Sequence, residues 1–257
     1  MGDNRLTRLP RTRKWQQVVG LLGSGAGTGE IAAVTLAASE RGLEEGNQDP
    51  GLVHSFWLLT QIPLCARSED FAESLRLRGI QVAGDPSLVE LIGAYTDAVD
   101  AHLRRTGGRT DLGEMAQLAA AESLSAVVGA LVGGLFDTRP DNVREELGGL
   151  GTKKQFGRLA RDFFARLMRR YLSSFLSREI ANHVGGGERF ADVDGHVGFS
   201  AALNLHCQEA AHIVEDFAGG WFSKTDFEGG ITPEKAAGFM YVALRKLRGE
   251  MAKRGMN

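Results

Sequence analysis

Cysteine is almost absent from the 257 residues: Cys65 and Cys207 stand far apart, with no CxxC spacing. That excludes a disulfide scaffold or a cysteine zinc centre and leads us to expect a reducing, cytoplasmic setting. Neither sign of charge dominates, with 30 Lys and Arg against 32 Asp and Glu, so a wholly basic surface is excluded. The longest uncharged apolar run, Ser123 to Phe136, has 14 residues, whereas a bilayer needs roughly 20. No transmembrane span is expected. The basic residues before Lys14 lead into no apolar stretch of signal-peptide length. Proline (6 residues) and aromatics (7%) are both scarce, and alternation of β-branched with polar residues is missing, which argues against sheet.

What is present is helical. Ala, Leu, Arg and Glu fill long segments, and the punctuation is that of helix ends. Asp49-Pro50, Asp85-Pro86 and Thr232-Pro233 each set a capping side chain before a proline at a first helical position. Thr152 with Gln155 reads as a capping box, and Asp111 with Glu114 as a similar arrangement. Together these signals predict helices near 12–22, 29–42, 50–66, 69–78, 86–105, 112–136, 141–147, 153–183, 197–218 and 233–254. The fold expected is all-α, a compact irregular multi-helix bundle. Gly148-Gly-Leu-Gly151 divides it into an N-terminal helical half, 1–148, acting as scaffold, and a C-terminal half, 152–257; one undivided domain is the alternative.

Three motifs invite a chemical reading. Gly20 to Gly29 holds five glycines, as a phosphate-cradling loop would, but no Lys follows the last one and no parallel sheet is built around it. A helix–helix connector is the expectation. Glu209-x-x-His212, with Asp216 one turn on, has the spacing of a carboxylate metal site, yet no second copy exists. At 100° per residue His206 falls with Leu203, Ile213 and Phe217 on the core stripe, and Glu209, His212 and Asp216 share a polar flank. They are the only, weak, metal candidates. No cofactor is expected. Gly129-x-x-x-Gly133 reads as a place where helices approach closely.

Two segments point to binding. Lys153 to Glu179 carries eight basic and two acidic residues. On a helix, Phe156, Phe163, Phe164, Leu167, Tyr171 and Phe175 form an apolar arc, opposite Lys154, Arg158, Arg161 and Arg169. Gly219 to Ile231 reads as a glycine-bounded loop whose Trp221, Phe222 and Phe227 are interspersed with Lys224, Asp226 and Glu228. Aromatics beside cations have the composition of binding hot spots. The expected role is therefore a non-catalytic helical interaction module, an adaptor or subunit of a larger assembly. It would meet a protein partner through Lys154, Arg158, Arg161, Arg169, Trp221, Phe222, Lys224 and Phe227 in the C-terminal half. The alternatives are a nucleic-acid-binding accessory protein using the 153–179 helix, and a metal or acid–base enzyme using 206–228. Homo-oligomer formation is compatible with each.

Overall fold

The computed structural model describes residues 12–46, 48–133, 140–185, 189–190 and 192–255. The basic residues Arg5, Arg8 and Arg11, the end of the predicted 112–136 helix and Gly186–Gly187 lie outside them. Twelve α-helices run among the described residues: α1 (Arg13–Ser24), α2 (Thr28–Ala38), α3 (Glu40–Gly46), α4 (Pro50–Ala66), α5 (Phe71–Leu77), α6 (Leu88–Thr106), α7 (Asp111–Val132), α8 (Pro140–Leu150), α9 (Lys153–Ile180), α10 (Val193–Ala210), α11 (His212–Phe227) and α12 (Pro233–Gly255). Among the described residues no strand joins them; Val184 and Phe190 make an isolated bridge. The fold is all-α.

Local chemistry sets the boundaries. Asp49 accepts from the Leu52 amide at 2.9 Å and Pro50 opens α4, as the dipeptide predicts. Asp85 does not start α6. Ser87 does, through a full capping box with Glu90, because two reciprocal hydrogen bonds satisfy more of the first turn than one carboxylate can. Thr110, not Asp111, caps α7. The predicted Thr152 box is not formed either: its hydroxyl turns back to donate to the Gly149 carbonyl at 3.0 Å. The 29–42 helix is broken at Ser39 and the 197–218 helix at Ala211. At the first break the Tyr171 hydroxyl donates to the Ser39 carbonyl at 2.7 Å, giving that group a partner from across the core.

The centre of the molecule is α9. Half of its 28 residues are buried, on every side of the helix, and it packs against α2, α7, α8, α10 and α11. α4 forms the second hub, touching α5, α6, α7, α8 and α12. An aromatic cluster joins them: Phe56 of α4 meets Phe163 and Phe164 of α9 and stacks on Phe239 of α12. Helices from both sides of Gly148–Gly151 contribute to one connected core. α7 is long and apolar enough to cross a membrane by length and composition, since its apolar character extends well before Ser123. Here it packs on α4, α6, α8 and α9, with Leu118 and Leu131 partly exposed.

Candidate interaction surfaces

The basic face expected on 153–179 is largely engaged inside the bundle. Arg161 meets Glu215 of α11 at 3.2 Å. Arg166, Arg169 and Arg170 all converge on Glu122 of α7, and Arg166 also holds Asp162 at 2.6 Å. Arg161 and Arg169 therefore bridge neighbouring helices and are not free to serve a partner. A sequence count of cations could not see this, because the neutralising carboxylates Glu122 and Glu215 lie far away in the chain. Lys154 and Arg158 remain exposed, and Arg158 reaches Gln155.

The segment expected as a loop, 219–231, is mostly helix: α11 continues to Phe227. Packing overrides the glycine pair. An added Cβ at Gly219 would fall 1.8 Å from the Lys153 carbonyl oxygen, so only glycine lets α9 and α11 approach this closely. Phe222 is buried and stacks on Phe156, ring centroids 3.9 Å apart. Trp221 is half-buried and lies 4.2 Å from the Phe239 ring. Phe222 is thus a core residue rather than a docking one, and Trp221 belongs to the core's edge. Phe227 is different. It ends α11 with 90% of its surface exposed, beside the exposed Lys224, which pairs with Glu228 at 3.9 Å.

Beyond Phe227 the chain turns at Gly229 and Gly230 and is anchored by Ile231. The Ile231 carbonyl accepts from Trp57 Nε1 at 2.9 Å and from Gln61 Nε2 at 3.2 Å. Gln61 Oε1 in turn accepts from Arg78 Nε. The α11–α12 turn and the end of α5 therefore meet over Gln61, and the residue before Arg78, Leu77, is 71% exposed.

The metal candidates separate. Glu209 pairs with Arg254 of α12, His212 with Glu215, and Asp216 is exposed. Among the described residues no group of three or more His, Cys, Asp or Glu could hold a metal ion. His206 is half-buried against Gly29 and shares a hydrogen bond with the Met251 backbone; burial, then Arg254, lowers its pKa. Both thiols are buried, and burial pushes Cys65 up and Cys207 to about 12, which leaves them poor nucleophiles.

Sequence reading missed one pair altogether. His54 of α4 and His102 of α6 stack with centroids 3.7 Å apart, and the Trp57 ring lies 5.4 Å from His54. Burial above all, then His102 and Arg105, lowers the His54 pKa to about 3. Nothing local signals this, since the two lie on separate helices with no motif around either.

A second surface lies on α12, where Arg245, Lys246, Arg248, Lys253 and Arg254 against Glu250 already make a local charge of +4 in the sequence. Among residues 235–253 of α12, Lys235, Gly238, Tyr241, Arg245, Lys246, Gly249 and Lys253 are exposed. Arg245 lies over the Tyr241 ring at 5.6 Å and Lys246 over Phe217 at 5.4 Å. Next to this face a small hollow is lined by Leu43, Glu44, Tyr241, Leu244, Arg245 and Arg248. Glu44 also borders a wider cleft of about 700 Å³ bounded by the start of α1, the end of α2 and α3.

No protein-family model, curated protein or solved structure matches this chain.

Proposed function

We propose that this chain is a non-catalytic helical interaction module, an adaptor or subunit of a larger assembly, that seats a protein partner on the bundle end where α5 meets the α11–α12 turn. The observation that carries this reading is Phe227, a large aromatic left 90% exposed at a helix end. Leu77, 71% exposed, precedes Arg78, which shares Gln61 with the Ile231 carbonyl beyond Phe227. Two such side chains supply the desolvated apolar centre that protein interfaces build on, each contributing roughly 1.5–3 kcal/mol when fully covered. Lys224 and Glu228, both exposed, form a polar rim beside Phe227. The expected partner therefore presents an apolar pocket or groove.

The test is affinity capture from the native host with wild-type protein and with Phe227→Asp and Leu77→Asp variants. A stoichiometric protein captured by the wild type and lost by both variants, at unchanged melting temperature, supports the reading. Equal capture by all three, or no stoichiometric protein at all, counts against it.

The catalytic alternative at 206–228 is not favoured, because its carboxylates and histidines are divided among separate ion pairs.

A further inference from the structure

We infer that the outer face of α12, from Lys235 to Lys253, binds single-stranded nucleic acid along its phosphate backbone. This surface starts beside the α11–α12 turn, where the Lys235 ammonium donates to the Gly230 carbonyl at 2.8 Å, and runs away from it along α12; it does not depend on the reading given for the Phe227 end.

The face is continuous. Lys235 and Lys253 are five helical turns apart, about 27 Å at 1.5 Å per residue, and so lie on one meridian. Gly238, Tyr241, Arg245, Lys246 and Gly249 fall within an arc of about 140° around it. The one acid in the 235–253 stretch, Glu250, is turned to Arg254 at 3.0 Å. Arg248 is likewise taken, by Glu40 and Glu44. Arg245, Lys246 and Lys253 are exposed and have no carboxylate partner among the described residues. The flanking cations are thus neutralised within the fold while the outermost ones are left to a ligand.

The kind of anion follows from what else the face offers. It holds no exposed Leu, Ile, Met or Phe, so it lacks the apolar centre from which a protein partner draws affinity. A polyanion needs no such centre, because its binding comes from cations displacing the counterions of its phosphates. Tyr241 is 49% exposed with Arg245 over its ring, which makes a flat platform for an unpaired base. Gly238 and Gly249 weaken the helix relative to alanine. Nothing lies within 4 Å of a Cβ added at either, so internal packing does not call for them. They leave bare backbone between the cations, where a bulky sugar–phosphate chain can come close.

Fluorescence anisotropy with a labelled mixed-sequence oligonucleotide of about 15 nucleotides tests this. At low salt, micromolar binding is expected, weakening with salt at a log–log slope of about −2 for three cation–phosphate contacts on a single strand. Arg245→Glu with Lys253→Glu should weaken binding at least tenfold, and Tyr241→Ala should weaken it severalfold, while Phe227→Asp leaves it unchanged. Gly249→Ala should raise the melting temperature yet lower the affinity, a combination a purely structural glycine would not give. Absence of binding, or binding indifferent to the charge reversals, overturns the inference. So does equal competition by poly-L-glutamate, which would mark an acidic protein ligand, or equal binding of duplex.

Discussion

His54 and His102, on α4 and α6, stack face to face with centroids 3.7 Å apart and ring planes within 5° of parallel. Burial penalises a charge on His54 most, and repulsion from a charged His102 at that separation and from Arg105 adds to the penalty. The native state therefore holds both rings neutral where the unfolded chain, with His54 near its ordinary 6.5, would take up protons. The sign follows: stability falls as pH drops below about 6.5, and the loss continues toward pH 3. Melting followed from pH 8 to pH 4 should show this decline. His54→Phe, which keeps a ring and removes the titration, should flatten it; an unchanged slope would sink the assignment.

Gly219 and Gly220 stand side by side in the chain and should respond in opposite ways. Alanine at 219 places its Cβ inside the Lys153 carbonyl, whereas at 220 the nearest atom is the flexible Lys153 Cε at 3.8 Å. Gly219→Ala is expected to cost about 3 kcal/mol, read in urea unfolding. Gly220→Ala should leave stability unchanged or raise it, as glycine is a poor helix former.

The aromatics of the same helix divide in the same way. Phe222→Ala removes a buried ring stacked on Phe156 and should cost about 3–5 kcal/mol. Phe227→Ala should change stability by no more than about 0.5 kcal/mol. Equal losses would place Phe227 in contact with the fold.

Glu122 supports three arginines from one turn and a half of α9. Glu122→Gln keeps the shape and removes the charge, leaving Arg166, Arg169 and Arg170 to repel one another. The expected loss is about 1–2 kcal/mol for these partly exposed groups, shrinking at high salt because the repulsion is screened. A loss insensitive to salt would mean that packing, not charge, is what Glu122 supplies.

Much of the fold can be read from the residues, since helix type depends on neighbours within a turn. Asp49-Pro50 and the periodicity of 153–180 suffice to place α4 and α9. What escapes is everything decided across the core. Gly219-Gly220 looks like a break until the carbonyl of Lys153 is seen against it. Even so, Ala218, Phe222 and Thr225 recur with helical spacing through the supposed loop, and all three are buried. The basic arc of α9 looks like a solvated face until Glu122 and Glu215 arrive from α7 and α11. For α12 the excess of cations is legible in the sequence, but which of them are engaged is again decided by the fold, where Glu40 and Glu44 take Arg248.

The pairing of α2 with α12 bears on the order of synthesis. Gly255 lies so close to Gly29 that an added Cβ would sit 2.5 Å from the Gly29 carbonyl, and Arg248 reaches Glu40 and Glu44 just beyond α2. Helix α2 thus takes α12, far along the chain, as a principal neighbour. At typical translation speeds α2 waits on the order of ten seconds or more for α12 to emerge. Until then Ile31, Ala32 and Leu36, all buried in the finished protein, have no α12 to pack against. Closure of the bundle therefore waits for α12, and in that interval the nascent α2 is a natural client for chaperones that shield apolar surface.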